Sequence, residues 1–254
     1  MSAKKENGKR QKTGATGAAG VTPADSAGAK PASANATPAD CALDPALLSP
    51  KDEAIVSRAA EVFLARGITD VKMTEIADAA QVGVATLYRR FSTKIDLAIL
   101  AATMLWRRLN DDIRSLVGTQ DYLALNGFER LDCLLCSYRD TYLKRADFMC
   151  FLDELDHVIV AEHVGAARLA AYGVEVDSFY PMFYDAYRLG LEDGSVTCMV
   201  DFPTFYRTLA HALTSTAQKL SRGEVIPSDD FANVRTELNY LIFMAKCTLT
   251  ANHL

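Results

Sequence analysis

From Ser49 onward, apolar residues recur every third or fourth position along most of the chain. That is the period of helices buried along one face. Ile55, Ala59, Val62 and Phe63 make the first stripe. Ser49-Pro50 opens it, because serine caps a helix and proline fits the first helical position. Gly67 closes it, where a left-handed residue is needed. Two short helices are predicted over 73–80 and 84–90, and a long one over about 94–117 with Thr93 as its N-cap. The long helix carries the stripe Leu97, Ala101, Met104, Leu105, Leu109, Ile113 and Leu116. Further helices are predicted at about 121–145, 148–172 with a break near Gly165, 177–193, 202–222 and 229–251. Gly194 and Gly223 are natural stops, and Pro203 and the run Pro227-Ser228-Asp229 are natural starts. No segment alternates as a strand would. The expected fold is all-α: an N-terminal three-helix helix-turn-helix unit followed by a larger helical body.

The pattern also divides the chain. Residues 1–48 are rich in Ala, Gly, Ser, Thr and Pro and hold no aromatic residue, so they are expected to be a disordered tail. The tail begins with the basic set Lys4, Lys5, Lys9, Arg10 and Lys12, which suits either loose attraction to DNA phosphates or a solubilising tail. Residues 49–96, with the two short helices, form one expected domain and 97–254 a larger helical one.

Charge changes the picture by its distribution. The formal net charge is -5, which does not by itself suggest a nucleic-acid partner. Residues 97–254 carry 14 Lys/Arg against 21 Asp/Glu, whereas 82–95 carry Arg89, Arg90 and Lys94 and no acid. An acidic body with one basic edge fits a protein that meets DNA at one place. No apolar run reaches membrane-spanning length and the N-terminus lacks a signal-peptide core, so no membrane partner and a cytoplasmic location are expected. The six cysteines are read as reduced thiols.

The chemistry concentrates in MTEIADAAQVGVATLYRRFSTK, residues 73–94. Its first helix buries Ile76, Ala77 and Ala80; Gln81-Val82-Gly83 makes a tight turn; the second helix buries Leu87 and is closed by Phe91. Two short helices across such a turn place the second in the major groove. Each helical residue advances about 100°, so with Leu87 inward, Ala85 and Arg89 point outward, flanked by Thr86 and Tyr88. Arg89 has the fork for a guanine edge. Arg90 and Lys94 are placed for the phosphate backbone. The full candidate DNA-contacting set is Lys72, Thr74, Gly83, Val84, Ala85, Thr86, Tyr88, Arg89, Arg90 and Lys94.

The spacing of Ile76-Ala77, Ala80-x-Val82, Thr86-Leu87-Tyr88, Phe91 and Lys94 resembles the TetR family signature. The resemblance implies DNA contacts for Tyr88 and Lys94. Three positions depart from the pattern: Gln81 stands for the turn glycine, Gly83 for the capping Ser/Thr, and Lys72 for a capping Thr. Beyond Leu116 the resemblance is one of layout. It implies a homodimer through the last two helices, with Leu209, Leu213, Leu220, Leu238, Leu241, Ile242 and Leu249 as candidate interface residues. It also implies an effector pocket for a small apolar or aromatic molecule, with Trp106, Tyr138, Tyr142, Phe148, Phe151, Phe183, Tyr184 and Tyr187 as candidate lining. The alternative for each ring is ordinary core.

Together these residues point to a homodimeric regulator of operator DNA, a repressor released by a small molecule. An activator or ligand-independent regulator of the same fold, or a helical interaction module without DNA binding, are the alternatives. Cys133-x-x-Cys136 falls mid-helix, away from the helix N-terminus that activates thiolates. Asp153 and His157 share a helix face and are read as an ion pair, and His211 as a packing residue. No motif of an enzyme, cofactor or metal site is found.

Overall fold

The structure is a computed structural model that describes residues 44–223 and 234–250. The basic run near the N-terminus and the predicted helix start at 229 lie outside those residues. Asp44 caps a short 3-10 turn, Pro45–Leu47, so the last residues of the predicted tail are folded. The described residues contain eleven α-helices and no strand: α1 (Pro50–Arg66), α2 (Met73–Ala79), α3 (Val84–Arg90), α4 (Lys94–Val117), α5 (Gln120–Leu123), α6 (Gly127–Lys144), α7 (Ala146–Ala161), α8 (Ala170–Asp177), α9 (Tyr180–Asp193), α10 (Phe202–Arg222) and α11 (Val234–Thr250).

Local chemistry sets most of these bounds. Ser49 Oγ accepts the Asp52 N–H, with Pro50 behind it, and Gly67 ends α1 at φ +79°. Thr93 caps α4 through a reciprocal pair with Asp96. One predicted helix is split, and the break expected near Gly165 comes slightly earlier. The helix expected at 121–145 breaks before Gly127, where Asn126 and Glu129 form their own capping box. The helix expected at 148–172 ends at Ala161, and His163 adopts φ +50° before Gly165 leads the chain onward.

In the N-terminal part, α1 packs on α4 and α2 around Phe63, Ile76, Leu87 and Leu97, all fully buried. α4 then continues into the body, where α6 crosses α9 and α10 packs against α7 and α11. The body core is aromatic. Trp106 meets Phe148 at 5.3 Å and Phe179 at 5.8 Å, and Tyr138 meets Phe179 at 5.1 Å, all edge-on. Such pairs each contribute about 1 kcal/mol beyond area burial.

The leucines expected at a dimer interface face inward instead. Leu213, Leu220, Leu238, Ile242 and Leu249 are buried within the chain, and Leu209 and Leu241 are half-buried against its core. Apolar periodicity alone does not separate the two cases, because a helix packed on its own subunit needs the same stripe as one packed on a partner. One edge of α11 is tied to α6, with Lys246 to Asp132 at 2.8 Å and Arg139 to Asn239 at 2.8 Å. The face left outward carries Tyr240, Phe243, Met244 and Cys247.

Candidate nucleic-acid interface and body cavity

Residues 72–94 fold as two helices about a turn that bends through Gln81. Glu75 accepts the Lys72 N–H at 2.8 Å and the Arg66 guanidinium at 2.7 Å, which starts α2 without a capping hydroxyl. Both interactions hold the Glu75 carboxyl below its usual range. Gln81 has φ +56°. A non-glycine residue there costs about 1 kcal/mol. Val82 N–H then reaches Ala77 O at 2.9 Å and closes the turn. Gly83 stands at the N-cap of α3 with no side chain to cap it.

Leu87 is fully buried and Phe91 nearly so, which turns the opposite face of α3 outward. Ala85, Tyr88 and Arg89 are exposed, Tyr88 by 52%. Thr86 and Val84 are half-buried beside them, while Lys72, Thr74 and Gly83 are exposed. Arg89 forms no ion pair or hydrogen bond among the described residues, so its guanidinium is available.

The two residues expected at phosphates are engaged within the chain. Arg90 pairs with Asp52 in the first turn of α1. Burial opposes the Asp52 charge, but Ser49 and Arg90 outweigh it and keep the carboxyl below its usual range. Lys94 Nζ donates to Thr69 O at 3.1 Å and Val71 O at 2.8 Å. It therefore staples the loop between α1 and α2 to the start of α4. A groove of about 470 Å³ beside α3 adds Lys51 and Arg58 to this face. Neither was singled out from the sequence, because their helix shows no reading motif.

That same loop is held from the body. Glu154 of α7 accepts the N–H groups of Ile68 at 2.6 Å and Thr69 at 2.5 Å. Burial works against its charge, yet the bonds from Thr69 and Ile68 and the nearby Lys94 hold its carboxyl below the usual range. Arg168, between α7 and α8, pairs with the buried Asp96 of α4.

The body contains a cavity of about 460 Å³ between α4, α6, α7, α8 and α10. Of the rings expected to line it, Trp106 and Tyr138 do so. Phe183 instead borders a separate apolar gap of about 10 Å³. Phe148 supports Trp106 from behind, and Phe151 stacks on Phe63 of α1 at 5.9 Å. Tyr142 is spent on Thr214 at 2.8 Å. Tyr187 stacks on Phe202 at 4.5 Å, and Tyr184 is exposed against Tyr180. Helical periodicity marks a ring as buried but not which side of its helix meets a void. Tyr172, Tyr206, Asp156, Asp177, Arg207 and Gln218 complete the lining. His211, read as a packing residue, is exposed on the cavity wall. The Cys133 and Cys136 thiols are pushed up by burial and by Asp132, away from thiolate chemistry. Asp153 is paired with Arg222 at 3.1 Å.

Comparison with known proteins places this geometry. Residues 55–101 match the family model described as bacterial regulatory proteins, tetR family. A comparison with curated proteins found no match. Among solved structures, the chain resembles a TetR transcription regulator from Haloarcula marismortui, with TM-score 0.63 and 21% identity over 80% of this chain and 100% of that one. It also resembles a transcriptional regulator from Saccharomonospora viridis in complex with choline, with TM-score 0.58 and 19% identity over 75% and 94%. A third resemblance is to FadR from Bacillus subtilis in complex with stearoyl-CoA, with TM-score 0.54 and 14% identity over 75% and 97%. At these identities the likeness shows a shared fold.

Proposed function

We propose that this chain, a TetR-family regulator by its N-terminal domain and its fold, binds operator DNA as a homodimer and is a repressor released when a small molecule fills the body cavity. The observation that carries the DNA-binding reading is the outward face of α3. It presents a small residue, an aromatic hydroxyl and an unpaired guanidinium side by side, at Ala85, Tyr88 and Arg89. That combination allows close approach to the groove floor and bidentate reading of guanine. The acidic charge of residues 97–254 disfavours DNA contact by the body.

Release follows from two helices that reach both places. α4 carries Trp106 at the cavity and Lys94 at the reading unit, about 18 Å apart along its axis. α7 carries Leu152 and Asp156 at the cavity and Glu154 at the loop before α2. A ligand that fits the cavity better in one arrangement of these helices shifts the population towards it. Two reading helices moved out of register with successive turns of DNA lose the operator. Neighbours of this fold hold ligands as different as choline and stearoyl-CoA, which supports a cavity of this kind as an effector site.

The test uses duplexes selected in vitro for binding to the full chain. Replacing Tyr88→Ala and Arg89→Ala together is expected to weaken specific binding about hundredfold. Thermal unfolding should be unchanged, since neither side chain is buried. Undiminished specific binding by the double variant would refute the assignment of α3 as reader.

A further inference from the structure

Four rings line the cavity, Trp106, Tyr138, Tyr172 and Tyr206. Burial pushes the three phenols up, so they stay neutral. Among these rings stands the carboxylate Asp156. It borders the cavity while remaining exposed to water. Among the described residues it has no cation partner, and its hydrogen bond from Gln218 Nε2 is long, at 3.4 Å. Burial, joined by the Asp153 charge, raises its carboxyl against the opposing effects of Gln218 and His157.

Three arginines of these helices and the loop between them are committed elsewhere. Arg222 goes to Asp153, Arg107 to Glu175 at 2.7 Å, and Arg168 to Asp96. The His157 ring meets the backbone carbonyl of Asp153 at 2.6 Å. Arg207 does border the cavity, with Asp177, but at the opposite end of α10. It lies eleven residues from Gln218, about 16 Å along the helix axis. The Gln218 end therefore carries a negative charge without a cation partner, close to Tyr172. Ring faces attract cations through their quadrupoles, and a carboxylate beside them without a cation partner adds to that attraction.

We propose that this cavity binds an organic cation, its amine or ammonium head against Asp156 at the Gln218 end and its apolar or aromatic body among Trp106, Tyr138, Tyr172 and Tyr206. The proposal rests on the reading of the cavity as the effector site, and it narrows the apolar or aromatic molecule expected from the sequence to one carrying positive charge. A ligand with a carboxylate head would place like charge against Asp156.

Trp106 is the single tryptophan of the chain, so its fluorescence reports on the cavity directly. The full chain is titrated with phenylbutylammonium, phenylbutanol and phenylbutyrate, which share one body and differ in charge. The ammonium is expected to saturate at a concentration about tenfold below the alcohol, with the carboxylate weakest. Asp156→Asn is expected to bring the ammonium to the level of the alcohol. Equal binding of the three probes, tighter binding of the carboxylate, a preference that survives Asp156→Asn, or no saturable change with any probe would each overturn the proposal. Should Asp156→Asn not fold, the ranking of the three probes on the unaltered protein decides alone. Operator binding is followed in the same samples. Preferential ammonium binding that leaves the operator complex intact sinks the effector reading and keeps the cation site. Equal release by all three probes does the reverse.

Discussion

Two glycines show how differently one residue type can be constrained. At Gly127 a Cβ would lie 2.0 Å from the backbone nitrogen of Gly190 and 2.2 Å from its Cα. The close crossing of α6 and α9 leaves no room, and backbone cannot step aside as a side chain can. Gly127→Ala is expected to cost about 3 kcal/mol or more in urea unfolding, at the upper end for overpacking. At Gly83 a Cβ meets nothing closer than Thr86 Oγ1 at 3.9 Å, and the first N–H groups of α3 have no side-chain acceptor there. Gly83→Ser is therefore expected to stabilise the fold by a few tenths of a kcal/mol. A loss at Gly83 or indifference at Gly127 in the same unfolding series would contradict these geometries. The two differ equally in legibility. Gln81 and Gly83 stand out in the sequence as departures from the pattern of the family it resembles. The clash at Gly127 involves a residue 63 positions away, and nothing local announces it.

Elements were legible where their ends carry their own chemistry. Ser49-Pro50, Thr93, Pro203 and Gly223 mark α1, α4 and α10 within a residue, because caps act over one turn. The break before α6 is marked in sequence only by Asn126 and Glu129 at capping-box spacing, since apolar periodicity runs on past it. What joins one element to another was not legible. Glu154 lies 85 residues from Thr69, yet it ties α7 to the loop that leads into α2. Its native pKa lies below the ordinary glutamate value of 4.5. The stability it adds is therefore complete above that value and lost as pH falls through the depressed native one. Glu154→Gln keeps the volume but turns an N–H group towards one of the two donors. It is expected to cost about 1–2 kcal/mol at neutral pH. Measured by urea unfolding down an acid series, the gap between variant and parent should narrow as the parent's carboxylate takes up a proton. A gap that stays constant with pH would mean that the carboxylate charge is not what holds the loop.

At the scale of the whole molecule, the leucine stripe read from the sequence as a partner-facing surface is occupied within the subunit. The leucines of α10 and α11 close the subunit's own core. A partner could instead cover the outward strip of α11, where Tyr240, Phe243 and Met244 are 63%, 58% and 47% exposed. Aromatic residues and methionine at helical spacing are what interface centres favour. In a two-fold pair this strip would meet itself, so every substitution enters twice. Phe243→Arg with Met244→Arg would bring four guanidinium groups together, a like-charge cost of several kcal/mol. Sedimentation is expected to show a monomer that still unfolds cooperatively, because neither side chain supports the core. Operator affinity should fall with it, since one reading helix spans one half-site and the second must be carried by the partner. Leu238→Ala provides the opposite signature. That side chain is fully buried, so its loss is expected to lower unfolding stability by about 2–4 kcal/mol. The dimer should persist wherever the subunit stays folded. If the double arginine variant remained dimeric, the outward strip of α11 would not be the interface, and the pairing of reading helices would have to come from another face of the body.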